Sequence, residues 1–192
     1  MKKTLLVIGL IAVVAIWAIG GYNGLVSEEE NVKNAWAKVQ SDYQRRADMI
    51  PNLVETVKGY AEHEKGTFES VTEARTKATQ INLNVEDLTE ENMAKLQAAQ
   101  SELSSALSRL IAVAEAYPEL KADQSFRELQ AQLEGTENRI KESRNKYNDA
   151  VKGYNVTVRR FPKNIIASIF GFAQKTPFAA EEGADKAPEV KF

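Results

Sequence analysis

The sequence predicts an all-α protein. One N-terminal transmembrane helix precedes an elongated antiparallel, coiled-coil-like bundle of three long helices, and a short C-terminal amphipathic helix closes it. Three observations carry this. The stretch from Thr4 to Tyr22 holds no charge and is apolar from Leu5 to Ile19. Beyond it, apolar residues recur in alternating steps of four and three, the spacing of a helical seam. Of only five prolines, Pro177 and Pro188 fall in the last sixteen residues, so the body is almost free of helix breakers.

Composition fits one domain. The chain has 192 residues, and its 43% apolar content is enough for a core. Charged residues make up 27% and nearly cancel, to a formal charge of -2. That balance argues against a nucleic-acid partner, which needs a basic face. With no cysteine, disulfides and thiolate metal sites are excluded.

Residues 1–3 form a short segment with Lys2 and Lys3, and residues 4–22 form the span. At about 1.5 Å per residue, that span just crosses the ~30 Å hydrocarbon core. Trp17 and Tyr22 suit the far interface. The lysines place the N-terminus in the cytoplasm, hence the remainder outside the inner membrane, in the periplasm. A signal peptide cut after Gly20 is the competing reading, but the apolar run is long for one. Gly20, Gly21 and Gly24 then read as a hinge.

The bundle occupies residues 23–176. Its first seam runs Val32, Trp36, Val39, Tyr43, Arg46, Ile50, Leu53, Val57, Tyr60, Glu64, Thr67 and Val71. A continuous helix from Ser27 to Gln80 would be on the order of 80 Å long. A turn follows near Asn82 to Asn84. The second helix starts near Asp87 or Thr89, with seam residues Met93, Leu96, Leu103, Leu107, Leu110, Ala114 and Tyr117, until Pro118 interrupts it. The third opens with Ser125 as N-cap and Glu128 three residues on. Every seventh residue then reads Phe126, Leu133, Ile140, Tyr147, Tyr154 and Phe161, and Pro162 stops it. In "KNIIASIFGF", Ile165, Ile166, Ile169 and Phe170 share a helical face, with Phe172 near it. With Phe161 they either close the bundle or contact the membrane or another copy. Residues 177–192 read as an extended, loose tail in which Val190 and Phe192 are candidate docking residues.

The stretch "RRADMIPNLV", Arg45 to Val54, sets charge, proline and amide inside the first seam. Ile50 and Leu53 keep the seam running, so the helix should continue, kinked at Pro51 where a backbone donor is missing. Arg46 lies on the seam and should face a carboxylate of the third helix, Asp149 or Glu142. Arg46, Asp48, Pro51, Asn52 and Glu64 are the residues expected to fix bend and register, as polar seam residues do.

Catalytic patterns are missing. The one histidine, His63, has Thr67 four residues on, where a zinc-protease helix needs a second histidine. No serine is marked by an adjacent base, and there is no glycine-rich phosphate loop. "SEEE" and "EDLTEE" read as helix starts, whose dipoles favour carboxylates. No cofactor, metal or enzymatic activity is expected.

Several motifs, in order, resemble the LemA family: "YNGLV", "AWAKV", "QRRADMIPNLVETVKGYAEHE", "AYPELKA", "FRELQAQLEGTENRI", "YNDAVKGYN", "RRFPKNIIASIFGF" and the terminal "APEVKF". The resemblance runs nearly the whole length. It implies a membrane-anchored bacterial helical bundle, and it carries over no reaction and no catalytic residue. Some relatives are associated with building membrane compartments. The expected function is thus a non-enzymatic scaffold of the cell envelope, bound to the lipid bilayer, self-assembling or joined to another envelope protein. The alternative is a lipid- or small-ligand-binding sensor using Arg45 and Arg46.

Overall fold

The computed structural model describes residues 2–179, and among them the chain is helical with no strand. Helix α1 spans Lys2–Lys58, α2 Lys65–Gln80, α3 Glu90–Ala116, α4 Pro118–Ala122, α5 Gln124–Arg159 and α6 Lys163–Phe170. Three are long, as the seams predict: α1, α3 and α5. Val190 and Phe192 lie outside the described residues.

The main departure concerns the first helix. The seam is buried from Val32 to Val57, but Tyr60 is exposed. Gly59 and the turn through Glu64 reverse the chain, and α2 folds back beside α1 as a fourth, shorter helix. The burial pattern restarts in a new phase at Ala61, Phe68, Val71, Ala74 and Ala78. Glu64 therefore begins α2 and is not a rung of α1. Two other ends differ. Asp123, not Ser125, caps α5, its carboxylate accepting from the Phe126 N–H at 2.8 Å. Phe161 falls past the end of α5 and is 76% exposed, while the other five rungs of its ladder are buried.

Away from the membrane end, α1, α2, α3 and α5 alternate in direction, α1 packing on α5 and α2 on α3. Nearer the span α1 and α5 continue, joined by the first turns of α3, with Met93 and Leu96, and by α6. There the loop after α2 and the extended residues 172–179 supply the third side. The apolar interior forms two clusters. One joins Leu25, Trp36, Tyr43, Met93, Leu96, Ile140, Tyr147 and Tyr154 near the span. The other joins Ile50, Leu53, Phe68, Leu103, Leu107, Phe126 and Leu133 at the distal end.

Helix α1 is long and apolar enough at its N-terminal part to cross a membrane, and it runs on without a break into the bundle. At 1.5 Å per residue it is roughly 85 Å long. Gly20, Gly21 and Gly24 are helical, so they do not form the expected hinge. Gly21 is buried for another reason: a Cβ there would collide with the Ile166 side chain. Glycine lets α6 lie directly on the α1 backbone.

A Gly21→Val substitution should therefore lift α6 from α1 at an overpacking cost of about 1–3 kcal/mol. Thiol labelling of a cysteine placed at buried Ala167 should accelerate about tenfold for each ~1.4 kcal/mol lost. Unchanged labelling would mean that α6 is held elsewhere.

Candidate functional site

The polar residues predicted on α1 converge in part. Arg46 is only 2% exposed, and its guanidinium is enclosed by three helices. One terminal nitrogen donates to Glu137 Oε1 at 2.8 Å and to Ser104 Oγ at 2.9 Å; the other donates to Gln100 Oε1. The Tyr43 ring lies 5.6 Å from the guanidinium carbon. The carboxylate on α5 thus comes from Glu137, not from Asp149 or Glu142, and both of those are exposed. Those two face solvent because they lie off the buried seam of α5, which runs through Thr136, Ile140, Ser143, Tyr147 and Val151.

Arg46 marks the boundary between the two cores. On α1 it lies between Tyr43 of one cluster and Ile50 of the other. On α5 Glu137 lies between Leu133 and Ile140. A layer of charge and amide therefore separates two apolar compartments. Asp42, one turn from Arg46, is also buried, and its Oδ2 has no hydrogen-bond partner.

Pro51 is exposed within α1, which continues through it. Lacking an N–H, it leaves the Ala47 carbonyl without its usual helical donor. Arg75 of α2 supplies one: its Nε donates to Ala47 O at 2.8 Å. Asp48 accepts from Gln44 at 2.7 Å, and the Asn52 backbone carbonyl accepts from Thr56 at 2.8 Å. Neither side chain bonds the freed carbonyl. Arg45 is exposed.

A second polar arrangement holds the chain beyond α6. Residues 172–179 do not hang free. Asn155 donates to Lys175 O and accepts from Lys175 N–H, both at 2.8 Å. Asn148 treats Phe178 likewise, at 3.3 and 2.8 Å. Two asparagines seven residues apart thus grip an extended backbone like successive rungs. Tyr147 donates to Thr176 O, and Phe178 packs between Trp36 and Tyr147 at centroid distances of 5.9 and 5.4 Å. Lys175 pairs with Glu29 of α1 at 2.9 Å. The repeated "YN" at Tyr147-Asn148 and Tyr154-Asn155 was the available signal: each seam tyrosine is followed by a residue turned toward the tail.

Burial pushes the Tyr154 phenol up to about 12, with the Glu29 charge adding to it, and burial pushes Tyr147 up as well. Among the described residues no three His, Cys, Asp or Glu side chains cluster in metal-ligating fashion. An open cavity of about 430 Å³ lies between α1, α2 and α3, lined in part by Gln40, Gln44, Asn82 and Gln100. It adjoins Gln100, but Arg46 itself is not part of its wall.

The Arg75–Ala47 bond yields a double-mutant cycle. Arg75→Ala should destabilise by about 1–3 kcal/mol, because a polar backbone group is left unmade. In a Pro51→Ala background residue 51 regains its N–H, so the same change should cost about 1 kcal/mol less. Additive costs in denaturant melts would show that the arginine does not serve the proline. Separately, Glu137→Ala should cost about 2–3 kcal/mol, less than for a fully buried pair because Glu137 is 40% exposed.

The sequence pattern of the LemA family matches residues 35–192. The chain is 28% identical over 200 residues to Magnetosome protein MamQ 2 of Paramagnetospirillum magneticum, a match covering 94% of this chain and 74% of the relative. It is 24% identical to Magnetosome protein MamQ of Magnetospirillum gryphiswaldense, covering 85% of this chain and 66% of the relative. Protein LemA of Metamycoplasma hominis is 23% identical, covering 85% and 71%. With its apolar N-terminal helix and a match from Ala35 to the last residue, this membrane-associated chain belongs to the LemA family.

Proposed function

We propose that the protein is a membrane-anchored, non-enzymatic scaffold of the bacterial cell envelope that self-assembles and organises membrane. Its N-terminus lies in the cytoplasm and its bundle outside the inner membrane. The observation that carries this reading is the continuity of α1 from Lys2 to Lys58. A span joined to a rod without a linker gives every copy the same attitude in the bilayer. Anchored copies meet side by side at high effective concentration, so weak lateral contacts suffice for assembly. The relatives named as magnetosome proteins agree with a role of this kind.

The rival reading, a sensor built on Arg45 and Arg46, has less support. Arg46 is held inside the protein by Glu137, Ser104 and Gln100, so it offers no free cation to a ligand.

Photoreactive residues placed along the exposed faces of α1, α3 and α5 should capture other copies in cells, and the purified protein in mild detergent should scatter light as a high-order species. Self-crosslinks absent at every position, with a monomer over a wide concentration range, would overturn the scaffold. A cysteine at exposed Lys58 should react with an impermeant maleimide added outside the inner membrane; protection there would reverse the orientation.

A further inference from the structure

Helix α6 is apolar on two sides. Ile166 and Ala167 are buried against the protein, with Ile166 over Gly21. Phe161, Ile165, Ile169 and Phe170 point away and are 76%, 46%, 71% and 57% exposed. Asn164 and Ser168 supply a polar edge, but exposed apolar side chains gathered on one face mark a surface that meets a membrane or a partner. No described segment covers this outer face.

Its position indicates what does. Gly21 stands just past the apolar run that ends at Ile19, seven residues before the first charge at Glu28. Trp17 lies one turn deeper, and Tyr22 meets Phe170 and Phe172 edge-on, at centroid distances of 4.9 and 5.6 Å. The exposed face of α6 is therefore continuous with the lipid-facing surface of the span, at the level where aromatic rings sit in a bilayer. Three cations lie at the same end: Arg159 and Arg160 are exposed, and Lys163 reaches toward Gly24. Of the acids at this level, Glu29 is paired with Lys175 and Glu30 with Lys33, while Glu28 lies against Gly153, two turns of α5 from Arg160. Apolar side chains with flanking cations are the features of a helix lying in the interface of an anionic bilayer.

We propose that residues 159–170 form a second membrane foot. Phe161, Ile165, Ile169 and Phe170 enter the boundary between headgroups and acyl chains of the leaflet on the bundle side. Arg159, Arg160 and Lys163 engage the phosphates of anionic phospholipids. This rests on α1 being a membrane span, and it adds a second point of attachment that sets the tilt of the rod.

The chain has no cysteine, so single labels are clean. The full chain bearing a nitroxide at Ile169→Cys would be reconstituted in vesicles of phosphatidylcholine, with and without phosphatidylglycerol. Exposed Ala131→Cys, on distal α5, serves as the aqueous reference. The ratio of collisions with oxygen to those with a nickel chelate should rise severalfold at residue 169 over residue 131, and further when phosphatidylglycerol is present. Replacing Arg159, Arg160 and Lys163 together by Gln should abolish only the phosphatidylglycerol increment. A ratio equal to that of residue 131 overturns the foot. Low collision with both reagents also overturns it, since the face would then be covered by another copy. An increment that survives the triple substitution overturns the assignment to anionic headgroups. Lateral crosslinking of the rods is independent of all these results, so the foot and the scaffold can fail separately.

Discussion

The bundle depends on placing one guanidinium. Arg46 is almost wholly withdrawn from water, and its acceptors come from two other helices: Gln100 and Ser104 on α3, Glu137 on α5. Apolar seams alone specify register weakly, because a shift of one heptad sets leucines against other leucines. Such a shift would set Arg46 against Arg144 or Gln130 in place of Glu137 and leave its charge unpaired, at a cost of about 3–5 kcal/mol. The ion pair contributes little net stability, because desolvation offsets much of its attraction. Its effect is to make the alternatives worse. Because the node ties α1, α3 and α5 together at one level, both apolar clusters are placed by it.

Fixing α1 in the bundle also fixes the bundle on the membrane, because the span and the rod are one helix. Any rotation of the span is carried into the seam at Val32, Trp36 and Val39. Glycines in that region would ordinarily loosen the joint. Here Gly21 does the reverse, since the space it leaves is filled by Ile166 and α6 braces the helix from the side.

Much of this was legible in the sequence. The uncharged run, the Phe126-to-Tyr154 ladder, the start of α3 at its Thr89 cap and the passage of α1 through Pro51 are all local patterns, and periodicity reports local patterns well. The break at Gly59 was not legible, because Tyr60, Glu64, Thr67 and Val71 happen to continue the four-three step across a reversal. Only tertiary packing distinguishes a seam that continues from one that restarts. The partner of Arg46 was misplaced for a related reason: which turn of α5 faces which turn of α1 depends on loop lengths at the distal end. Arg75 carries no sequence signal because its acceptor is a backbone carbonyl, which nothing marks beyond the Pro51 that frees it. The tail was missed because asparagines gripping a backbone leave the gripped segment with no pattern of its own.

The two halves of the rod differ in how they are closed. Distally, four helices enclose the core, α1 packing on α5 and α2 on α3. Near the membrane α1 and α5 are joined by α6 and the first turns of α3, and the closure is completed by loop residue Leu83, which accepts from the Trp36 indole at 2.8 Å, and by Phe178. Both belong to non-helical segments, whose backbones lack the internal hydrogen bonds of a helix. Such regions open more readily than four-helix cores. The membrane-proximal half, completed by an extended segment and flanked by the exposed face of α6, is therefore where the rod can respond to its surroundings. The distal half, locked at Arg46, provides the stiffness against which that response acts.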